Sequence, residues 1–236
     1  EIVPHGDRIL GFGEGFLQVF AAGLLRDPLI GNDDTVGTND WGMCAAGSYV
    51  FLGNGPLSSP LGYSYRMMDV TDPAAPLLAG EYLGPAASTT VSLADESLLL
   101  VTHYQDCCHT VIDFVDIGDP LSPSILSSYT DDTAFTVSAY PHDGFVYLLG
   151  NSLPHWEGYL RVVDITDPKN PVVHPPMPPF PERLWQGVFL GAHLFATMGS
   201  RLLVFDVSAA TAPVEVGGLD LPAPYRRIAA AHGFVY

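Results

Sequence analysis

The residue types best suited to bind a transition metal lie within one seven-residue stretch, which contains His103, Asp106, Cys107, Cys108 and His109. Zinc prefers about four nitrogen or sulfur ligands, and this stretch offers several of them. Adjacent cysteines are poorly placed to hold one ion, however, and no C-x₂-C spacing is present. The candidate metal ligands are therefore His103, Cys107 and His109. The alternative is an exposed loop whose two cysteines are free thiols or form a vicinal disulfide.

A second group of oxygen-bearing side chains lies in an acidic linker and contains Asn32, Asp33, Asp34 and Asp40. Carboxylate and amide oxygens are the ligands that calcium prefers, but the spacing is not that of an EF-hand. Linkers rich in Asn and Asp are usually solvated turns. We expect no cofactor, and calcium or zinc are the ions that these two groups would favour.

Two tryptophans and an arginine occupy equivalent places, each near the start of a β-rich segment: Trp41, Trp185 and Arg226. The third tryptophan, Trp156, lies in a predicted loop. Aromatic residues and Arg are enriched at binding hot spots. Trp41, Trp185 and Arg226 are therefore the candidate ligand-binding residues. The alternative is that the tryptophans pack as core between neighbouring sheets.

No catalytic motif accompanies these groups. The sequence contains no G-x-S-x-G elbow, no H-E-x-x-H helix motif and no phosphate loop, and its one lysine, Lys169, lies in a predicted turn. Four histidines recur at matching positions, which indicates a repeated turn residue rather than an assembled site: His5, His142, His193 and His232. We therefore name no catalytic residue.

A repeated turn after a hydrophobic strand organises the chain. Residues 65–76 read YRMMDVTDPAAP, residues 112–123 read IDFVDIGDPLSP, and residues 160–171 read LRVVDITDPKNP, while residues 17–28 and 202–213 are diverged copies. Seven residues after each anchor position (Asp69, Asp116, Asp164, Asp206 and Ala21) stands a proline. The spacings between these prolines are 48, 47, 48 and 42 residues. A near-constant period of this size is typical of propellers and solenoids.

Each repeat contains four β-rich segments, which we name strands A to D. The repeated turn lies between strands C and D, and shorter turns join the others. Four antiparallel strands per repeat are the composition of a propeller blade, and no segment shows a sustained helical period. An Asp at the end of strand C can accept hydrogen bonds from nearby backbone N–H groups, so we expect the anchor Asp to have a structural role.

The segments VVDITDPKNPVV and MMDVTDPAAPLL resemble the LVIVD repeat, a propeller-forming repeat of bacterial and archaeal secreted or surface proteins. WGMCAAGSYVFLG similarly resembles the innermost hairpin of that family. The resemblance extends over nearly the whole chain in about five copies and implies a β-propeller in an extracellular or cell-surface protein. It transfers no catalytic residue, because the repeat carries none. Ala21, in place of the anchor Asp, and Ala210, in place of the first proline, depart from the pattern.

These observations predict an all-β fold, a β-propeller of four-stranded antiparallel blades, as a single domain over residues 1–236. The predicted units are 1–38, 39–87, 88–133, 134–183 and 184–224, with a partial unit at 225–236. Because both ends of the chain match the same A–B hairpin, we expect a fragment of a ring of about six to eight blades.

The amino-acid composition limits the classes of partner that the protein can bind. Lys and Arg number 9 and Asp and Glu 26, which gives a net charge of −17 and predicts no nucleic-acid partner. The 47% hydrophobic content argues for a packed body rather than disorder. No apolar stretch reaches the roughly 18 residues of a membrane span, and no signal peptide is visible. Three cysteines are too few for a disulfide scaffold.

Function is expected to lie in the variable loops. In a propeller the D-to-A and B-to-C connections share one side, here called the loop face, and the repeated C–D turns lie on the opposite turn face. We expect a non-enzymatic binding or scaffolding propeller that holds a protein, glycan or small molecule on the loop face or channel mouth. The alternatives are a metal-dependent propeller hydrolase with a central calcium-type ion, and a structural spacer within a surface protein.

Overall fold

The strands of this protein assemble into small antiparallel sheets. The computed structural model describes residues 2–5, 8–13, 16–21, 29–33, 42–53, 63–83, 89–105, 109–224, 228–231 and 233–235. Within these residues all the regular secondary structure is β-strand. These strands form five four-stranded sheets and one two-stranded sheet. In each four-stranded sheet the strands lie side by side in chain order.

The first three sheets contain strands β1 to β12. The first comprises β1 (Ile2–His5), β2 (Arg8–Gly13), β3 (Phe16–Ala21) and β4 (Leu29–Asp33). The second comprises β5 (Met43–Ala46), β6 (Tyr49–Gly53), β7 (Tyr63–Asp69) and β8 (Leu77–Leu83). The third comprises β9 (Thr89–Leu93), β10 (Leu98–Gln105), β11 (His109–Asp116) and β12 (Ser124–Asp131).

The remaining sheets contain strands β13 to β22. The fourth comprises β13 (Ala134–His142), β14 (Phe145–Ser152), β15 (Gly158–Asp164) and β16 (Val172–Val173). The fifth comprises β17 (Leu184–Leu190), β18 (His193–Met198), β19 (Arg201–Asp206) and β20 (Val214–Asp220). A short hairpin of β21 (Ala230–Ala231) and β22 (Phe234–Val235) follows. Antiparallel sheets of this kind are the blades that the repeat predicts, so the predicted fold class is confirmed.

The chain divides into two compact units, residues 1–107 with 111–128, and residues 108–110 with 129–236. In the first unit, the apolar core includes Phe51, Tyr65 and Leu99. In the second, buried side chains of the fourth and fifth sheets share one core, which includes Leu149, Leu160, Leu194 and Phe205. The single-domain organisation stays a prediction.

The anchor aspartates end strand C through the same hydrogen bond in four repeats. Each anchor Oδ1 accepts the backbone N–H two residues ahead, at 2.8 Å in Asp69, 2.8 Å in Asp116, 2.9 Å in Asp164 and 2.8 Å in Asp206. A second aspartate three residues further on repeats the motif, with distances of 3.0 Å for Asp72, 3.1 Å for Asp119 and 3.1 Å for Asp167. Each of these hydrogen bonds joins an Asp side chain to a backbone N–H of the same turn, so the turn fixes its own shape.

The residue after each anchor joins the C–D turn to the A–B turn of its own blade. Its side chain is buried in all four repeats: Val70, Ile117, Ile165 and Val207. Its N–H donates to a carbonyl of the A–B turn, as in the 2.9 Å bonds from Ile165 to Gly144 and from Val207 to Ala192. The turn face is therefore built from structural contacts that recur in the second to fifth sheets.

Candidate functional site

Three aromatic rings and a guanidinium group meet at the loop face between the fourth and fifth sheets. Phe135 is the second residue of strand A of the fourth sheet, and its ring lies 6.2 Å from that of Trp156 in the B–C loop. The guanidinium carbon of Arg183 lies 5.9 Å from the Phe135 ring centroid and 4.1 Å from that of Trp185, on strand A of the fifth sheet. These distances are within the range of cation–π contacts. All four residues belong to the second unit.

A polar side chain completes this group. Asn151 on β14 is the cross-strand partner of Phe135 on β13, so both side chains lie on the same face of the sheet. Asn151 is only 5% exposed, and its Oδ1 has no hydrogen-bond partner among the residues that the structure describes. We call Phe135, Asn151, Trp156, Arg183 and Trp185 the loop-face cluster.

The B–C loop holds Trp156 outward. Its side chain is 54% exposed, and its backbone adopts φ +61°, which bulky residues rarely adopt because Cβ approaches the following carbonyl. Two backbone hydrogen bonds fix this conformation, from Trp156 N–H to Ser152 O at 2.9 Å and from Ser152 N–H to Glu157 O at 2.7 Å. Strained backbone of this kind persists only where the surrounding contacts determine it, and it is concentrated at functional sites.

The linker from the fourth to the fifth sheet brings Arg183 to this loop. After β16 ends, the linker follows β15, with N–H groups of His174 and Met177 donating to Val162 and Leu160. Gly158 and Phe180 then exchange two backbone hydrogen bonds of 2.8 and 3.0 Å. Because a Cβ on Gly158 would overlap with the carbonyl oxygen of Glu182, this close approach requires glycine.

A buried polar network secures the start of strand A nearby. Asp131 is 1% exposed and accepts hydrogen bonds from Tyr159 Oη at 2.5 Å and from Arg161 Nη1 at 3.1 Å. Its Oδ1 accepts the Thr133 N–H at 2.9 Å. Burial, and then the charge of Asp131, raises the pKa of Tyr159, so that hydroxyl stays protonated and donates. These groups are paired with one another, which indicates a structural role.

Of the predicted ligand-binding residues, Trp185 is part-buried and belongs to the loop-face cluster. Trp41 and Arg226 lie outside the described residues, so the convergence of the three stays a prediction. Sequence reasoning did not find Phe135, Asn151 or Arg183. Asn151 has the sequence signature of a turn residue, and Arg183 ends a proline-rich linker, so neither gave a signal of its own.

His103 of the candidate metal group makes a different contact. It is 3% exposed, and its Nε2 lies 3.0 Å from Asp113 Oδ2, while Ser128 Oγ donates to Asp113 Oδ1 at 2.6 Å. Burial would raise the pKa of Asp113, but the hydrogen bonds from His103 and Ser128 outweigh it, so the pKa is lowered. The carboxylate stands between the imidazole and the hydroxyl, whereas a nucleophilic triad needs the imidazole in the middle.

The other members of the metal prediction are His109 and Cys107. His109 begins β11 and is part-buried, and Cys107 lies outside the described residues. Among the described residues no group of three or more His, Cys, Asp or Glu side chains could hold a metal ion. Zinc at His103, Cys107 and His109 stays a prediction. Calcium at the acidic linker does too, since Asp34 and Asp40 also lie outside the described residues.

The turn face of the second unit carries an open cavity of about 400 Å³, lined by His142, Asp143, Phe145, Tyr147, Gly191, Ala192, Val207, Ser208 and Ala210. The His142 ring stacks on Phe189 with centroids 4.1 Å apart. Tyr147 Oη donates to Ala210 O at 3.2 Å. His142 ends strand A and His193 begins strand B, as expected for repeated turn histidines. The lining thus belongs to the turns that build the blades.

Residues 155–174, which include the third well-formed C–D turn, match the LVIVD repeat. The chain carries the LVIVD repeat. This match confirms the resemblance seen in the sequence, and it includes Trp156, Gly158 and the anchor Asp164. No curated protein matches the chain.

Solved structures share the propeller architecture at low sequence identity. A functionally unknown protein from Desulfotomaculum acetoxidans is similar with a TM-score of 0.71 and 10% identity, over 95% of this chain and 71% of that one. BamB from Moraxella catarrhalis, which is propeller-like, gives 0.61 and 9%, over 98% and 76%. Sqt1 from Chaetomium thermophilum gives 0.63 and 13%, over 94% and 59%. These likenesses establish a β-propeller fold and nothing about function.

In the described part of the chain, the structure has no helix with the length and apolar character needed to cross a membrane.

Proposed function

We propose that this chain is a non-enzymatic binding or scaffolding β-propeller of a secreted or cell-surface protein, and that it holds its ligand at the loop-face cluster. The observation that carries the proposal is the position of Trp156, which is 54% exposed beside Phe135 and is held at a backbone conformation unfavourable for a bulky residue. A large ring presented to solvent in this way is available to a partner. The extracellular location rests on the resemblance to LVIVD-repeat proteins.

The cluster has the composition of a small recognition site. Aromatic side chains supply rigid contact area with few rotatable bonds, and one buried amide and one guanidinium supply directed polar groups. The cluster draws residues from two sheets, so a ligand contacts Trp156 of one blade and Trp185 of the next. The turn face, in contrast, has its polar groups engaged in the repeated hydrogen bonds of the C–D turns.

A retention experiment tests the proposal. Immobilised wild-type protein is challenged with an oligosaccharide array, a peptide library and a mixture of metabolites, beside Trp156→Ala and Leu219→Ala. Leu219 is the matched control because it is also apolar and 60% exposed, but lies on the outer strand β20.

We expect at least one ligand whose affinity falls by about tenfold or more in Trp156→Ala and is unchanged in Leu219→Ala, since tenfold corresponds to the energy of an interface hot spot. Equal retention by wild type and Trp156→Ala for every ligand, or retention of none, would contradict the proposal.

A further inference from the structure

The loop-face cluster joins an exposed apolar ring to a buried hydrogen-bond acceptor. Trp156 presents its ring to solvent beside the ring of Phe135, and Phe135 is the cross-strand partner of Asn151 in the β13–β14 pair. Among the described residues nothing donates to Asn151 Oδ1, although the side chain is 95% removed from solvent. Most buried amides in folded proteins have a hydrogen-bond partner, so a donor supplied by a ligand would satisfy this acceptor.

We propose that the loop-face cluster binds a neutral saccharide, with the C–H face of a pyranose ring against the Trp156 indole and a hydroxyl donating to Asn151 Oδ1. This inference rests on the proposed function and names its ligand class. A pyranose carries an apolar face and a rim of hydroxyl groups within one ring, which matches an aromatic surface beside an amide. The Asn151 amide, which has donors as well as an acceptor, can bind a hydroxyl in both senses.

Charge favours a neutral ligand over an acidic one. The chain has a net charge of −17, and such a field repels anionic polysaccharides. Arg183 contributes one positive group, but it stacks on Trp185, and Glu182 precedes it in the sequence. A neutral sugar experiences neither the repulsion nor a strong dependence on salt.

A proline-rich peptide is the other ligand that aromatic clusters commonly take. Such peptides offer few N–H donors, because proline has none, and Asn151 Oδ1 would remain unsatisfied when one bound. A sugar provides several hydroxyl donors around its ring. The amide therefore decides between the two classes.

The test uses an array of short neutral oligosaccharides, short acidic oligosaccharides and proline-rich peptides, followed by calorimetric titration with any saccharide retained. We expect a neutral saccharide to bind wild type, Trp156→Tyr to keep affinity within about threefold, and Trp156→Ala to lose about tenfold or more. Leu219→Ala should equal wild type. Affinity should stay constant between roughly 0.05 and 0.5 M NaCl, since no ion pair forms with a neutral ligand.

Asn151→Ala provides a second test, with thermal unfolding as a check on folding. In folded variant protein, the affinity for the retained saccharide should fall by about tenfold, as expected for loss of one ligand hydrogen bond at a buried site. Failure of wild type to retain any neutral saccharide, or retention that Trp156→Ala leaves unchanged, overturns the inference. Retention of a peptide alone, lost in Trp156→Ala, overturns the saccharide and leaves the proposed function standing. If no ligand depends on Trp156 for its binding, both the saccharide inference and the proposed function are overturned.

Discussion

The ring of Trp156 lies 6.2 Å from the ring of Phe135, with the planes tilted by 53°, and so joins the B–C loop of one blade to the first strand of the same blade. Phe135 in turn contacts Arg183 from the linker to the next blade. The exposed Trp156 ring is thus connected to Trp185 by successive contacts through Phe135 and Arg183. This arrangement distinguishes Trp156 from the scattered apolar side chains of the outer strands.

Replacing Trp156 by Asn should separate stability from binding. Asn adopts positive φ more readily than Trp, which relieves about 1–2 kcal/mol of strain, while loss of the Phe135 contact costs about 0.5–1.5 kcal/mol. We expect the free energy of unfolding in urea to change by less than about 1 kcal/mol while ligand binding is lost. Phe205→Ala, at a fully buried ring, is the reference and should cost about 3–5 kcal/mol. A cost of the same size at Trp156 would show that the ring is core.

Gly158→Ala should disturb the loop-face cluster indirectly, through the linker that carries Arg183. A Cβ at this position would overlap with Glu182 O and lie 2.7 Å from Phe180 Cβ, so the linker that carries Arg183 must move. We expect a loss of about 1–3 kcal/mol in the free energy of unfolding, together with weaker ligand binding. Gly217→Ala is the control, because its Cβ would meet nothing within 4 Å. If Gly158→Ala were as stable as Gly217→Ala, the close approach would not hold the linker in place.

Asp164→Ala should weaken the fold and spare binding. The variant removes the hydrogen bonds that Asp164 accepts from the Thr166 N–H at 2.9 Å and hydroxyl at 2.7 Å. By analogy with capping residues, we expect a loss of about 0.5–2 kcal/mol in urea unfolding. Asp132→Ala, at an exposed carboxylate in the connection between β12 and β13, should stay within about 0.5 kcal/mol of wild type. Lost ligand affinity at unchanged stability would assign Asp164 a binding role instead.

Acid should destabilise the protein through the same turns. Hydrogen bonds from the residue two positions ahead hold the pKa values of Asp69 and Asp164 below the ordinary 3.8. Because the folded-state pKa is depressed, this stabilisation is complete above the unfolded-state pKa of about 3.9 and is lost as pH falls through the folded value. We expect the difference in unfolding free energy between wild type and Asp164→Asn to shrink as pH falls below about 4. A difference that stays constant from neutral pH to acid would exclude this titration.

The blades were predictable because the C–D turn is determined by residues that are close together in the sequence. The anchor Asp and the proline seven residues on recur at a fixed period, and the hydrogen bonds from Asp69 Oδ1 and Asp164 Oδ1 close within two residues. The sequence did not predict the second hydrogen bond of the turn, which Asp72 and Asp167 accept from the backbone N–H two residues ahead. An Asp before proline is also common in ordinary turns, so its presence gave no specific signal.

The loop-face cluster was only partly predictable for the opposite reason. Trp185 was found from its place at the start of strand A. Phe135 and Arg183 are 48 residues apart in the sequence and meet only because the fourth and fifth sheets pack on a common core. Their contact depends on the path of the 174–183 linker, which the Gly158–Phe180 hydrogen bonds fix. No local pattern encodes that path.

Hydrogen–deuterium exchange with and without a retained ligand tests the central claim, that the loop face binds and the turn face supports. We predict slower exchange, on ligand addition, in peptides that cover residues 151–158 and 181–187, and unchanged exchange in peptides that cover the C–D turns at 164–171 and 206–213. Protection confined to those C–D turns, with residues 151–158 and 181–187 unchanged, would contradict it.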